Sequence, residues 1–207
     1  MSALCERKDL SVIVPVYNLE NYIQPLLDSF RSQELGQYEV EFIFVLNNCT
    51  DRSEDIIRES GIGTIINCEE QGCGPARNKG MEIANGEYVW FIDGDDWLFS
   101  ETAIKEALDK AQGHDIIRIP FRSKTFYWQY FSMVWQYVFR KDFIEEFTFP
   151  SIQPQEDDVF MDMVLRKAGF NRWMHMALPS VDRPLYYYNY MREGSNMYRV
   201  QILHEQI

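Results

Sequence analysis

The chain has 207 residues, a length typical of one α/β domain or of one domain with an appendage. Hydrophobic residues make up 46% and aromatic residues 15% of the chain, which excludes a disordered or low-complexity polypeptide. The 32 acidic and 20 basic side chains give a formal net charge of −12, which argues against broad electrostatic binding to an anionic membrane or to nucleic acid. We therefore expect no nucleic-acid partner.

Short apolar runs alternate with segments of helical periodicity through the first part of the chain. Residues 11–16 form a continuous apolar run typical of a buried parallel strand, and the apolar stripe over residues 22–30 predicts the helix that follows. Residues 40–46 and 63–67 are predicted strands, with a helix over residues 51–60 between them. This βαβαβ order predicts an α/β fold with a mostly parallel sheet.

The same alternation continues through the next part of the chain. The sequence predicts a helix over residues 74–84, a buried strand over 88–92, a helix over 100–112 and a strand over 115–120. The strand over 88–92 runs into the acidic turn 93–96. Open α/β sheets bind ligands outside the carboxyl ends of their strands, so a ligand site is expected at this turn.

From Phe121 the pattern changes to an aromatic-rich segment, followed by a turn at residues 149–150 and a helix over 156–167. Two tail strands are predicted, at residues 172–176 and 185–190.

No internal repeat or flexible linker divides the chain, so one compact domain is expected over residues 1–207, with halves at 10–120 and 121–207. The first fifteen residues contain no signal-peptide core, and no apolar stretch reaches the roughly 18 residues of a membrane span. The four cysteines form no CxxC pair. These features predict a protein of the reducing cytoplasm.

Asp93, Asp95 and Asp96 place three carboxylates within four residues, where they repel one another unless a cation is present. Mg²⁺ or Mn²⁺ prefers oxygen ligands and is typically held by one or two carboxylates, with substrate phosphates completing its shell. Gly94 allows the backbone to approach such a ligand. An ordinary acidic surface turn is the alternative, since Asp-Gly is also a turn dipeptide.

A glycine-containing loop at residues 72–76 runs into a predicted helix that carries Arg77 and Lys79. Exposed amides and cations at a helix start suit an anion, and ordinary solvated charges are the alternative. The segment has neither the Walker lysine spacing nor the GxGxxG pattern, which argues against a P-loop or a dinucleotide site.

Glu156 and Asp157 lie with a further acid at the start of a predicted helix. Negative charge there complements the helix dipole and can be no more than capping. The same carboxylates can also meet the turn at 93–96 in one cleft, with one acidic site binding metal and the other taking a proton.

Five motifs follow one another in a fixed order: VPVYN at 14–18, NNCTD at 47–51, GPARNKG at 74–80, DGDD at 93–96 and ED at 156–157. In this order, over residues 10–195, the chain resembles the family 2 glycosyltransferases of the GT-A fold. The resemblance implies a Rossmann-like mixed sheet, mostly parallel and flanked by helices. It also implies transfer of a sugar, with inversion, from a nucleotide diphosphate sugar to an acceptor hydroxyl.

The resemblance assigns roles to particular residues. It implies Mn²⁺ or Mg²⁺ held by Asp93 and Asp95, and Asp157 as the general base with Glu156 beside it. It places Trp135 on the acceptor side, in the half of the chain that faces the acceptor.

The resemblance places the donor on the half formed by residues 10–120. Tyr17 is available to stack on the base, and the tail loop that contains Arg192 can close over the diphosphate. The implied donor-binding residues are Pro15, Tyr17, Asn18, Asn47, Arg77, Asp93, Gly94, Arg192 and Ser195.

Two departures from the family pattern stand out. Asn47 replaces an acidic residue that hydrogen-bonds the uracil N–H in the family. Its amide oxygen can accept that bond, but its amide nitrogen can also donate, so a UDP-sugar is favoured while a purine or cytosine donor stays open. The second departure is that the segment between Ile119 and Phe126 is shorter than in the family, being either trimmed or missing residues.

The resemblance further implies a hexosyl- or N-acetylhexosaminyl-transferase of cell-surface polysaccharide or glycoconjugate synthesis. Its acceptor would be a glycan or a lipid-linked glycan, and the latter would bring the chain into peripheral contact with the inner face of the membrane. Two alternatives stay open: a non-catalytic nucleotide-sugar-binding domain and a nucleotidyltransferase. The loop at residues 17–21 is neither glycine-rich nor basic, which disfavours the nucleotidyltransferase.

Overall fold

A computed structural model describes residues 7–123, 133–152, 155–170 and 178–189. The strands are β1 (Lys8–Val16), β2 (Val40–Leu46), β3 (Thr64–Asn67), β4 (Gly86–Phe91), β5 (Trp97–Leu98), β6 (Ile116–Arg118), β7 (Phe121–Arg122), β8 (Tyr137–Arg140) and β9 (Tyr186–Tyr187). The helices are α1 (Gln24–Arg31), α2 (Ser53–Ser60), α3 (Cys73–Ile83), α4 (Ala103–Ala111), α5 (Lys141–Ile144) and α6 (Glu156–Lys167), and a 3₁₀ turn spans Val134–Gln136.

The main sheet has six strands in the order β3-β2-β1-β4-β8-β6. The first four are parallel, and β8 runs antiparallel to both β4 and β6. Pro15 lies in the central strand β1, beyond its last pair with β4, which joins Ile13 to Phe91. Its missing N–H therefore removes no bond from that ladder. The mixed, mostly parallel sheet predicted from the sequence is confirmed.

Apolar residues on β1 alternate between two cores, one on each face of the sheet. Val12 and Val14 belong to the cluster that α1 and α4 cover, whereas Ile13 belongs to the cluster under α3 and α6. Gly80 is needed for close packing of α3, because a Cβ there would lie 2.4 Å from Cγ2 of Ile13. These layers hold α3 and α6 over the same end of β1 and β4.

The predicted strands and helices of residues 11–120 are all present, with ends shifted by one to three residues in most cases. The predicted helix over 100–112 begins only at Ala103, because Ser100 and Thr102 form a hydrogen-bonded turn before it. Strand β8 was not predicted, since its residues fall within the aromatic segment. The predicted tail strand at 185–190 is reduced to β9, and the one at 172–176 lies outside the described residues.

A second sheet of three short strands, in the order β5-β9-β7, lies beside the acidic turn. β9 pairs antiparallel with β5 and parallel with β7, so the tail of the described chain returns to the end of β4. Across the described ranges, no helix has both the length and the hydropathy of a membrane-spanning segment.

Candidate active site

Three elements bring one cation and three carboxylates together. Helix α3 carries Arg77, which is 2% exposed, the end of β4 carries Asp93, and the first turn of α6 carries Glu156 and Asp157. Arg77 Nη2 donates to Asp93 Oδ1 at 2.9 Å, and Nη1 donates to Asp157 Oδ1 at 2.5 Å and to Glu156 Oε1 at 3.3 Å. The predicted metal-binding and base acids therefore share one guanidinium, although they lie 64 residues apart in the chain (157 minus 93).

The position of Arg77 differs from the nucleotide-side placement expected from the sequence. Its guanidinium is buried among carboxylates and lies over the ring of Phe149, with Cζ 5.4 Å from the ring centroid. A guanidinium held in this way is directed at the acids of the site rather than at an anionic donor.

Asn47 fixes the loop that leads into α3. Its Oδ1 accepts the N–H of Gly72 at 2.7 Å, and its Nδ2 donates to the carbonyl oxygens of Glu70 at 2.6 Å and Cys68 at 3.3 Å. Gly72 has a φ of 127°, which favours glycine at this point. The expectation that Asn47 offers its amide oxygen to a base needs correction, because the residue is 4% exposed and that oxygen already holds the loop.

A reciprocal pair of hydrogen bonds joins α3 to the segment that precedes α6. Asn78 Nδ2 donates to the carbonyl oxygen of Phe149, and the N–H of Phe149 donates to Asn78 Oδ1, both at 2.8 Å. A Cβ on Gly74 would lie 2.6 Å from the carbonyl oxygen of Pro150, so only glycine permits this approach. The contact joins α3 to residues 149–150, close to the point where Arg77 meets the acids of α6.

Burial raises the pKa of Asp157 to about 7. Arg77 acts in the opposite direction, while Asp93 and Glu156 raise the pKa further and the N–H of Val134, 3.4 Å from Oδ2, lowers it. Among the described residues, Arg77 Nε and Glu156 Oε2 are buried without a hydrogen-bond partner. A carboxylate with a pKa near neutrality is well matched to accepting and releasing a proton at physiological pH.

Asp96 turns inward from the acidic turn and is 1% exposed. Its Oδ2 accepts the hydroxyl of Tyr186 at 2.6 Å, and its Oδ1 accepts the N–H of Asn189 at 2.7 Å. Burial, followed by the charges of Asp95 and Asp93, raises the pKa of Asp96 well above its usual range. Asp96 thus connects the turn to the tail of the described chain. Asp93 and Asp95, which are half-buried, are left as candidate metal ligands.

Asp93 and Asp95 fit a divalent cation that prefers oxygen ligands. No group of three or more metal-ligating side chains occurs in the ranges that the structure describes. Two carboxylates are sufficient for Mg²⁺ or Mn²⁺ when substrate phosphates supply further oxygens. Gly94 is buried, and a Cβ there would lie 2.5 Å from Cδ1 of Leu19, so its small size packs the turn against the loop after β1.

The loop after β1 lies at the same carboxyl edge of the sheet. Pro15 is buried within β1, while Tyr17 is 45% exposed immediately after it. Asn18 has a φ of 50°, and its Oδ1 accepts a backbone N–H from the loop after β2 at 2.8 Å. Tyr17 is therefore exposed on a loop that a hydrogen bond to the neighbouring loop stabilises. Arg192 and Ser195, the other predicted donor-binding residues, lie outside the described residues.

Trp135 is not on the rim of the site. It is 1% exposed, and its ring stacks on Tyr186 at 4.6 Å and on Tyr188 at 4.8 Å between centroids. Phe121 meets it edge-on at 4.9 Å. The prediction that Trp135 faces the acceptor is wrong, because its faces are covered by other rings.

Two residues that build the site were not singled out from the sequence. The ring of Phe149 packs against the guanidinium of Arg77. In the sequence, the only local feature that marked Phe149 was the predicted turn at residues 149–150. Tyr186 binds Asp96, and its signal was the run of aromatic residues over 186–190, which gives no indication of which hydroxyl is buried.

The sequence of this chain is similar to those of known proteins. The family described as "Glycosyl transferase family 2" matches residues 11–172. The minor teichoic acid biosynthesis protein GgaB of Bacillus subtilis (strain 168) is 35% identical over 121 residues, which are 54% of this chain and 13% of GgaB. The poly(ribitol-phosphate) beta-N-acetylglucosaminyltransferase TarS of Staphylococcus aureus (strain Mu50) is 37% identical over 102 residues, which are 47% of this chain and 18% of TarS.

Solved structures show the same fold. The crystal structure of S. aureus TarS 1–349 in complex with UDP-GlcNAc has a TM-score of 0.77 and 24% identity, covering 92% of this chain and 60% of that one. The mannosyltransferase PcManGT from Pyrobaculum calidifontis, in complex with GDP-Man and Mn²⁺, has a TM-score of 0.72 and 17% identity, covering 96% and 61%. The chain therefore spans less than two thirds of these relatives.

The shared GT-A fold, the order of the motifs and a family match over most of the chain lead to one conclusion: this chain belongs to glycosyltransferase family 2.

Proposed function

We propose that the chain is an inverting glycosyltransferase that moves a sugar from a nucleotide diphosphate sugar to an acceptor hydroxyl. The observation that carries the proposal is the contact of Asp157 and Asp93 with the same guanidinium, that of Arg77. This contact puts a carboxylate with a pKa of about 7 beside the acidic turn. A base for the acceptor and a binding site for the diphosphate would then lie in one cleft.

On the donor side, Asp93 and Asp95 would hold Mn²⁺ or Mg²⁺. When bound, the ion would offset the negative charge that develops on the diphosphate leaving group. Tyr17, exposed at the same edge of the sheet, would stack on the base. The complexes of TarS with UDP-GlcNAc and of PcManGT with GDP-Man and Mn²⁺ support a nucleotide-sugar donor, and we favour a UDP-sugar carrying a hexose or an N-acetylhexosamine.

On the acceptor side, a carboxylate oxygen of Asp157 would take the proton of the acceptor hydroxyl. The acceptor oxygen would attack the anomeric carbon as the bond from that carbon to the diphosphate oxygen breaks on the opposite face, which inverts the configuration. Arg77 would keep Asp157 in its ionised, proton-accepting form by opposing the effect of burial. Glu156 would hold Arg77 from the other side.

We propose residues 10–120 as the donor half of one domain and residues 121–207 as its acceptor half. A glycan or a lipid-linked glycan at the cytoplasmic face of the membrane is the proposed acceptor. Support comes from the relatives GgaB and TarS, whose names place them in teichoic acid synthesis and in transfer to poly(ribitol phosphate).

The proposal is tested by Asp157→Asn, which keeps the shape of the side chain and removes its capacity as a base. Release of nucleoside diphosphate is measured for UDP- and GDP-sugars with poly(ribitol phosphate) and lipid-linked glycans as acceptors. We expect Asp157→Asn to bind nucleotide like the wild type and to lose transfer by about 10²- to 10⁴-fold. Asp162→Asn is the matched control, because it makes the same change five residues further along α6, at an exposed ion pair with Arg166.

Unchanged transfer in Asp157→Asn would remove this residue as the base. A wild-type chain that binds the nucleotide sugar and transfers to none of these acceptors would instead favour the non-catalytic binding domain. Loss of transfer in Asp162→Asn as well would show that the assay reports the integrity of α6 rather than the base.

A further inference from the structure

Tyr186 ties the tail of the described chain to the acidic turn. Its hydroxyl donates to Asp96 Oδ2 at 2.6 Å and accepts the backbone N–H of Asp93 at 3.3 Å. The N–H of Asn189, three residues further along, donates to the other oxygen of the Asp96 carboxylate at 2.7 Å. Residues 186–189 therefore hold the turn at both its first and its last position.

The backbone of the acidic turn forms hydrogen bonds both within the turn and to Tyr186. Within it, the N–H of Asp96 donates to the carbonyl oxygen of Asp93 at 3.1 Å. This bond closes the turn but leaves the backbone N–H of Asp93 to be satisfied from outside, and the hydroxyl of Tyr186 does so. The two residues proposed as metal ligands, Asp93 and Asp95, thus share a backbone that one phenol hydroxyl anchors.

The ring of Tyr186 cannot easily move away. It is 0% exposed and stacks on Trp135 with centroids 4.6 Å apart and planes 9° from parallel. Trp135 is itself 1% exposed, and its backbone carbonyl oxygen accepts a hydrogen bond from the Nε1–H of Trp90 at 2.9 Å. A hydroxyl on a locked ring is already oriented before any ligand arrives, which is the requirement for a group that orients metal ligands from behind.

We propose that Tyr186 is a positioning residue that sets the affinity of the Asp93–Asp95 turn for a divalent cation through its bonds to Asp96 and to the backbone of Asp93. This inference rests on the proposed function, which places the cation at that turn. Tyr186 touches neither the substrate nor the ion in this account, so its effect is on metal binding rather than on proton transfer.

The test is Tyr186→Phe, which removes the hydroxyl and keeps the stacked ring. Mn²⁺ binding to the whole chain is measured in the presence of saturating UDP, with free Mn²⁺ followed by its EPR signal. We expect the Mn²⁺ dissociation constant to rise about 10-fold, the lower range for removing a group that orients metal ligands. The Mn²⁺ concentration for half-maximal transfer should rise in parallel, while kcat at saturating Mn²⁺ stays near the wild-type value.

Tyr88→Phe is the matched control. Tyr88 is also buried, and its hydroxyl donates to the carbonyl oxygen of Ala111 at 2.9 Å, away from the acidic turn. This variant removes one buried phenol hydroxyl, as Tyr186→Phe does, and should keep the wild-type affinity for Mn²⁺. Equal Mn²⁺ affinities in Tyr186→Phe and Tyr88→Phe would overturn the proposal.

Asp96→Asn disturbs the same contact from its other partner and gives a second test. It should weaken Mn²⁺ binding, and the loss in the double variant with Tyr186→Phe should be smaller than the sum of the two single losses, since both changes disturb the hydrogen bond between Tyr186 and Asp96. Fully additive losses would contradict a shared contact. A wild-type chain that binds no Mn²⁺ with UDP would refute the proposed metal site itself, an outcome distinct from a selective failure of Tyr186→Phe.

Discussion

Arg77 is a buried cation whose three carboxylate partners carry more charge than it offsets. A buried charge that lacks full compensation is costly, and burial, followed by the charges of Asp93 and Glu156, raises the pKa of Asp157. A divalent cation beside Asp93 would supply the positive charge that this cluster lacks. The charge balance of the site is therefore a reason to expect metal and base to act together.

Asn47 provides a test at the scale of one residue. Asp at this position could still accept the N–H of Gly72, but it would set a carboxylate against the carbonyl oxygens of Glu70 and Cys68, to which Asn47 now donates. We expect Asn47→Asp to lower the free energy of unfolding by about 1–3 kcal/mol, the cost of unsatisfied buried polar groups. Urea denaturation measures this loss.

The same variant separates a loop-holding role from base recognition. If Asn47 read the base, an aspartate there would restore the family's usual contact to the uracil N–H and tighten UDP binding. We expect the UDP affinity measured by calorimetry not to improve. A stable Asn47→Asp chain with tighter UDP binding would contradict the role that the structure gives to this side chain.

The sequence predicts the roles of some residues but not the partners or the burial of others. Asp93 and Asp157 stand out because each follows a recognisable local pattern, an acidic turn after a buried strand and an acidic helix start. The partners of Arg77 could not be predicted from local pattern, since they lie 16, 79 and 80 residues away along the chain. Trp135 was misassigned because the resemblance to the family does not distinguish a buried ring from one that faces a sugar.

Elements with strong periodicity were predictable, and short strands stabilised by distant partners were not. The local sequence pattern predicts a strand over residues 40–46, and β2 has the same bounds. β8 lies between β4 and β6, which come from earlier in the chain, so its four residues acquire strand structure only from tertiary pairing. Of the two-residue strands in the second sheet, only β9 falls within a predicted strand, at residues 185–190.

The anchoring of the tail segment to α4 makes a prediction about pH. Arg183 donates through Nε to Glu106 Oε2 at 2.8 Å and through Nη2 to Thr102 Oγ1 at 3.0 Å. The hydrogen bond from Arg183 is the largest cause that lowers the pKa of Glu106 below its usual value of 4.5. This group's contribution to stability is therefore fully present above pH 4.5 and is lost as the pH falls through the lower folded-state pKa.

Thermal unfolding of the wild type and of Glu106→Gln between pH 7 and pH 3 measures this contribution. The wild type should melt at the higher temperature at neutral pH, and the difference should shrink below pH 4.5 as Glu106 takes up a proton. A difference in Tm that stays constant down to pH 3 would show that this contact does not depend on the ionised carboxylate.

At the scale of the whole molecule, part of the net charge of −12 is concentrated at one site. Five acids, at positions 93, 95, 96, 156 and 157, gather around Arg77 and the end of β4. The net charge does not show where these acids lie, whereas the fold brings them to one edge of the sheet. The halves before and after residue 120 meet at this edge, since Arg77 comes from one and Asp157 from the other.

The central claim is that the acidic turn and a nucleotide diphosphate hold a divalent cation together, since two carboxylates alone form an incomplete shell. Its most direct test is the melting temperature of the chain with Mn²⁺, with UDP or GDP, and with both. Linked binding predicts that each ligand strengthens the other, so the shift with both should exceed the sum of the single shifts. Asp95→Ala should abolish the Mn²⁺-dependent part. Equal shifts in Asp95→Ala and the wild type, or no shift with any nucleotide and Mn²⁺, would contradict the account.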